Sequence, residues 1–190
     1  MASPPAAPLL LASTSPRRCE ILELLRVPFD VVAPDYDETD DDPVAHAVGK
    51  ARSVLAEADG RPVLGCDTEV VLDGHVYGKA DSTAEAEAML ESLAGRTHEV
   101  VSGLALLTDA WEEVHRETTL VTFRRLTADD LAYYVASREW EGRAGAYAIQ
   151  GLGASLVERI EGDFFNVVGL PAALLVRVLA ERFPGTYGFG

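Results

Sequence analysis

The chain has 190 residues, room for one domain or two small lobes sharing a core, and a chain of that length buries roughly 70% of its unfolded surface. A hydrophobic content of 48% with 25% charged residues excludes pervasive disorder, and apolar runs such as Pro8 to Ala12 and Leu170 to Val176 are too short to span a bilayer. The formal net charge of −15 argues against nucleic acid polymers and anionic membranes as partners, but not against a nucleotide, whose phosphates need only a few local cations.

No basic residue precedes the short apolar run near the N-terminus, so no signal peptide is expected. Cys19 and Cys66 imply no disulfide framework, and a reducing cytoplasm is the expected location.

In chain order, Pro8 to Ala12 predicts a short buried strand. Ser15 and Pro16 then open a helix with Ile21, Leu22, Leu24 and Leu25 on one face. A strand is expected over Phe29 to Val32. An acidic segment from Asp35 to Asp42 leads to Pro43, where a second helix carries Val44, Ala47, Val48, Ala51, Val54 and Leu55 at helical spacing until Gly60. Pro62 to Cys66 predicts a strand ending at Asp67-Thr68, and Glu69 to Tyr77 a hairpin turning at Asp73-Gly74. Ser82 to Glu85 has capping-box form and opens a helix that stops near Gly95. Strands are expected over His98 to Leu107 and Val114 to Arg125, then a capped helix from Thr127 and a tightly folded glycine-rich stretch, Gly142 to Gly153. A strand over Leu156 to Ile160 and a helix opened by Pro171 follow, and a mobile tail over 185–190 closes the chain. Strands and helices mix without strict alternation, which favours an α/β fold with a central mixed sheet flanked by helices.

Four places carry chemistry. Ser13-Thr14-Ser15-Pro16-Arg17-Arg18 joins a strand to a helix start, with hydroxyls, backbone N–H groups and forked guanidinium donors suited to phosphate; a plain capped helix with solvated arginines fits the same residues. The oxygen-rich stretch Asp35, Asp37, Glu38, Asp40, Asp41, Asp42 supplies the donors that Mg²⁺ or Mn²⁺ takes, one of them acting as ligand and the rest as surface. Lys50 borders the apolar stripe of the second helix, three residues after Ala47, whereas Lys79 follows a hairpin and a glycine; either alone reads as surface. Asp67, in Gly65-Cys66-Asp67-Thr68 at the end of a buried strand, is poised to orient a water or bind a metal, or else to cap a turn.

Other motifs are missing. His46, His75, His98 and His115 show no metal-ligand spacing and read as exposed or structural. Cys19 reads as a small buried helix residue, and Cys66 as packing beneath Asp67. The phosphate-loop pattern Gly-x-x-x-x-Gly-Lys-Ser/Thr is absent, and Gly151-Leu152-Gly153 does not extend to a dinucleotide fingerprint. Asp35-Tyr36-Asp37-Glu38-Thr39 fits the Asp-x-Asp-x-Thr of aspartyl-phosphate phosphatases, but Pro34 interrupts the approaching strand and no acidic partner follows Gly162-Asp163.

Taken together, these segments resemble the Maf family of septum-formation-inhibitor-like nucleotide pyrophosphatases, over about Leu9 to Leu179. The blocks that carry the resemblance are LLLASTSPRR, DYDE, AVGKA, GCDT, YGKA, LAGRTHEVVSGLAL, RAGAYAIQG and VERIEGDFFNVVGLP. The resemblance implies a single Maf-like domain over 1–190 with two lobes and a cleft between them, commonly dimeric, so a homodimer is expected. It implies that Ser13, Arg17, Arg18, Lys50 and Lys79 contact a nucleoside triphosphate. Glu38 would hold a divalent cation, Mg²⁺ or Mn²⁺, and Asp67 would accept the proton of the attacking water and also touch the metal. Thr68 and Gln150 match positions tied to base selection, and the Asp-Thr pair with Ala-Tyr-x-Ile-Gln looks like the branch acting on dTTP, UTP and modified pyrimidine nucleotides. Cys66, Glu69 and Ala80 depart from the commonest pattern, and Glu69 adds a carboxylate beside Asp67. The implied role is nucleotide-pool cleaning; the alternative is a nucleotide-binding regulator of cell division.

Overall fold

The computed structural model describes residues 7–39 and 41–190. Its elements are strand β1 (Leu9–Ala12), helix α1 (Pro16–Leu24), β2 (Phe29–Val32), α2 (Pro43–Ser53), β3 (Val63–Leu72), β4 (His75–Tyr77), α3 (Thr83–Leu93), β5 (Thr97–Leu107), β6 (Glu112–Phe123), α4 (Ala128–Ala136), β7 (Val157–Glu161), α5 (Phe164–Val168) and α6 (Ala172–Arg182). A 3₁₀ turn lies at Leu55–Glu57 and a longer 3₁₀ segment at Gly151–Leu156. The strands form one seven-stranded sheet in the order β2-β1-β3-β5-β6-β7, with β4 paired to β3. β1 runs parallel to β2 and to β3, whereas β3 with β4 and β6 with β7 are antiparallel, so the sheet is mixed as the element pattern predicts.

The chain divides into two compact units. The first holds the described residues up to Asp67, Ser102–Glu117 and Gly169–Gly190; the second holds Thr68–Val101 and Thr118–Val168. In the first, β1 is buried at all four positions, as a short apolar strand covered on both faces must be. The α2 residues Ala47 and Ala51 meet Leu10, Ala12, Val63, Ala105 and Leu107 in one core cluster. Small residues let that helix lie close to the sheet. A Cβ on Gly65 would stand 2.1 Å from the Ala47 carbonyl oxygen, and one on Gly103 would stand 2.1 Å from that of Pro43.

Several local expectations change on folding. β3 runs ten residues without a break, so Asp67 lies in mid-strand and not at a strand end; β1 pairs with Val63 and Leu64 before it, and β4 with Val70 to Leu72 after it. α2 stops at Ser53, and Val54 and Leu55 leave the helix for the 3₁₀ turn. On α1, Ile21 and Leu22 are buried but Leu24 is 65% exposed, because the nine-residue helix buries a narrow stripe only. Ser15 is the N-cap residue by position but its side chain accepts no capping bond; its own N–H instead donates to Ser13 Oγ at 3.2 Å. Cys19 is half-buried and not buried. α5 has no counterpart in the sequence expectations.

Other local chemistry appears as expected. Asp73 and Gly74 both take positive φ, 52° and 77°, the left-handed pair a tight hairpin needs. Asp42 Oδ1 accepts from the Val44 N–H at 3.0 Å, and Thr127 with Asp130 closes a full capping box. In the tail, Tyr187 is 7% exposed, with its hydroxyl donating to the Ala7 carbonyl and its ring against Phe183. No helix among the described residues is long and apolar enough to cross a membrane.

Candidate active site

The first unit gathers charged side chains from four segments around Asp67. From the turn after β1, Ser13 is 3% exposed; its Oγ accepts from Arg18 Nη1 at 2.9 Å. Arg18, one turn into α1, is turned inward: its Nε donates to the Gly169 carbonyl at 3.0 Å and its Nη2 lies 4.0 Å from Asp67 Oδ1. The Gly169 carbonyl also lies 3.5 Å from Cys66 Sγ, so the loop before α6 ties the base of β3 to α1. The Arg18 bonds to Ser13 and Gly169 fix the direction of its forked donors before any ligand arrives.

The opposite wall is α2. Lys50 Nζ stands 2.5 Å from Asp67 Oδ1 and 2.5 Å from Glu38 Oε1, bridging two carboxylates. The Lys50 and Asp67 side chains are 10% and 13% exposed, whereas Glu38 is 48% exposed and forms the open side of the group. His46, one turn before Lys50 on the same helix face, points Nδ1 at Asp67 Oδ2 from 3.3 Å. It is 2% exposed, and the Tyr36 ring lies edge-on to it with centroids 6.0 Å apart. Tyr36 reaches this place because residue 49 has no side chain: a Cβ there would sit 2.1 Å from the tyrosine ring. Through Tyr36 the extended 33–39 segment is laid along α2, and Glu38 meets Lys50.

Glu38, His46 and Asp67 each offer one donor atom, and these atoms all lie within 4.8 Å of one another. Two carboxylates and an imidazole suit a hard or borderline divalent ion, and the Lys50 ammonium marks the place between the carboxylates where positive charge is held. The cluster therefore has cations for phosphate oxygens, carboxylates for a metal, and a carboxylate able to take a proton from water.

The family model described as Maf-like protein matches residues 8–182. The chain belongs to the Maf family. Among its relatives is a protein of Bacillus cytotoxicus named dTTP/UTP pyrophosphatase, 44% identical over 90% of this chain and 94% of its own length. Proteins of the same name from Bacillus velezensis and Symbiobacterium thermophilum are 42% and 44% identical, each over 91% of this chain and 95% and 93% of their own lengths.

Of the positions matched to the Maf pattern, the structure brings Ser13, Arg18, Glu38, Lys50 and Asp67 together. Arg17 is half-buried at the start of α1. Asp40 of the acidic stretch lies outside the described residues, and Asp35, Asp37, Asp41 and Asp42 are exposed. Thr68, Lys79 and Gln150 belong to the second unit. There Lys79 is exposed and its backbone pairs with Ala144 in an isolated bridge, while the Gly145 N–H donates to the Tyr77 and Gly78 carbonyls at 3.0 Å each. Gly145, at φ 65° and with Val70 methyls 2.9–3.0 Å from where a Cβ would be, allows that close approach. Tyr147 is bonded through its hydroxyl to His98 Nε2 at 2.9 Å, and the Ala148 N–H donates to Tyr134 Oη at 3.0 Å. The Glu139 carboxylate accepts from the Leu152 and Gly153 N–H groups. Gln150 stands exposed between these anchors.

His46, expected to be exposed or structural, is buried with Nδ1 beside Asp67. A search for histidines spaced as ligands of one another passes over it, because its neighbours are carboxylates from distant segments. Its distance of four residues from Lys50 on one helix is the signal that could have found it. His98, by contrast, is structural as expected: burial pushes its imidazole down to about 4.

Proposed function

We propose that this chain hydrolyses dTTP and UTP, and modified pyrimidine triphosphates with them, to the monophosphate and pyrophosphate. The observation that carries this is the meeting of Arg18 and Lys50 on one carboxylate, Asp67, with Lys50 also paired to Glu38. The names of the relatives support the same activity and substrates.

Asp67 orients a water toward the α-phosphorus and takes its proton. The new bond joins that oxygen to phosphorus, the α–β bridging P–O bond breaks, and pyrophosphate carries away the electron pair. Charge therefore grows on the leaving group, and cations fixed beforehand stabilise it most where water is excluded. Arg18, already oriented by Ser13 and Gly169, holds triphosphate oxygens; Ser13, Arg17, Lys50 and Lys79 join it. Glu38 and Asp67 would hold the divalent cation, Mg²⁺ or Mn²⁺, which when bound neutralises phosphate charge and makes a water more acidic. Thr68 and Gln150 select the base, Gln150 from a stretch whose backbone is anchored on both sides of it. A homodimer belongs to the same reading and is checked by sedimentation.

The test is a panel of triphosphates incubated with Mg²⁺ or Mn²⁺, with pyrophosphate and orthophosphate measured separately. Pyrophosphate from dTTP and UTP ahead of purine nucleotides is expected. Tight binding without turnover would point to a nucleotide-binding regulator, and orthophosphate as first product would refute attack at the α-phosphorus.

A further inference from the structure

His46 sits where the proposed mechanism gives it no part. It is buried on the face of α2 that carries Lys50, and Nδ1 lies 3.3 Å from Asp67 Oδ2, with the Glu38 donor inside the same 4.8 Å group. Around an octahedral ion with bonds of about 2.1 Å, adjacent donors lie about 3 Å apart and opposite ones about 4.2 Å. The 3.3 Å separation of Nδ1 and Oδ2 fits adjacent positions. The ring is also held in place: Tyr36 packs edge-on against it and is seated over Gly49. An imidazole presented this way, beside two carboxylates whose nearest cation is a lysine ammonium, is built as a ligand and not as filler.

We infer that His46 Nδ1 is a third ligand beside Glu38 and Asp67, and that it turns the site toward a first-row transition ion such as Mn²⁺, Co²⁺ or Zn²⁺ and away from Mg²⁺. The inference rests on the metal-dependent activity proposed above and names the ion class that its site prefers. Oxygen-only sites suit Mg²⁺, whereas an imidazole nitrogen strengthens binding of borderline ions and adds little for Mg²⁺. An ion in this place takes over the neutralisation of Glu38 and Asp67 that Lys50 now provides, and so leaves the ammonium available to phosphate oxygens. The competing account is that an Nδ1–H simply donates a hydrogen bond that orients Asp67.

The full chain, without nucleotide, is titrated with Co²⁺ and with Mg²⁺ by calorimetry, alongside His46→Leu and His46→Gln, each checked for folding by circular dichroism. The wild-type protein is expected to bind Co²⁺ at least about tenfold more tightly than Mg²⁺. Both variants are expected to lose about tenfold or more of that preference, the lower end of what disturbing a metal site costs. Either folded variant keeping the wild-type ratio, or a wild-type protein with no preference, overturns the inference and leaves the hydrogen-bond account. Pyrophosphate release is followed separately. Its absence would refute the proposed activity while the two-metal titration still decided the role of His46.

Discussion

The charged cluster around Asp67 and the glycine-rich stretch 143–153 hold their functional groups by opposite means. In the cluster, side chains from α1, the 33–39 segment, α2 and β3 meet as alternating positive and negative charges within 4.0 Å of one another along the chain of contacts. In the stretch, backbone N–H groups are taken up by Tyr134, Glu139 and the Tyr77 and Gly78 carbonyls, and the neutral pair His98–Tyr147 sits underneath. The first arrangement concentrates charge that can act on a phosphate; the second spends its polar groups on shape. Charges so gathered depend on one another, and the loss of one leaves its partner exposed to an unbalanced field. A backbone anchored by bonds to several separate groups loses them group by group.

That contrast can be broken most severely at Asp67. Asp67→Asn keeps the shape and removes the proton acceptor, and kcat should fall by about 10²–10⁴-fold, measured as pyrophosphate release. Full activity in a clean preparation would remove Asp67 from the role given to it. The next largest effect is expected for Lys50→Met, which removes the ammonium that bridges Asp67 and Glu38 and leaves Asp67 with Arg18 4.0 Å away. Without added metal, stability should drop by about 3 kcal/mol, and divalent ion should restore much of it, as read by denaturant melts. A variant equally unstable with and without metal would mean that the ammonium and the ion do not share a place.

The glycine-rich stretch gives smaller effects of another kind. Burial lowers the His98 pKa from 6.5 to about 4, so between those values the unfolded chain binds the proton more readily than the folded one. The stability that neutral His98 contributes is therefore complete above about pH 6.5 and is lost as pH falls toward 4, by up to about 3 kcal/mol for this one group. Comparing the pH dependence of unfolding for wild type and His98→Phe checks this, and the variant should show a flatter profile across that window. Identical slopes would mean that His98 is not the titrating group. Smallest of all should be Tyr134→Phe. Burial pushes that hydroxyl up to about 12, so it stays neutral, and its removal strips the Ala148 N–H of its acceptor at a cost of about 1–2 kcal/mol. KM for dTTP should rise more than kcat falls if the stretch positions the base, and a pure kcat effect would argue against that use.

Much of the fold was legible in local pattern. The helix starts at Pro16, Pro43, Ser82 and Thr127, and the turn at Asp73-Gly74, follow from chemistry within four residues. Where local pattern misled, the cause was pairing or packing at a distance. β3 continues through Asp67 inside the sheet, between β1 and β5, and α2 ends at Ser53 with Val54 still packed in the core. The candidate site was legible as a set of residue types, and blocks such as GCDT and YGKA carried it further than charge counting could. Arg18 and Arg17 look alike in sequence, yet Arg18 is buried against Gly169, 151 positions away. His46 was invisible because its meaning depends on Glu38 and Asp67, which reach it only through Tyr36 lying over Gly49 and β3 lying close to α2 at Gly65.

By itself the sequence determined the element types, the mixed α/β character, the family and a pool of polar side chains sufficient for phosphate chemistry. All of these depend on neighbours in the chain or on ordered blocks along it. Tertiary structure decided which of those side chains share a place: that Lys50 bridges Glu38 and Asp67, that Arg18 turns inward, and that His46 joins them. Charge and ligand interactions fall off over a few ångströms, so their partners are set by how helix and strand pack, and sequence spacing does not encode that distance.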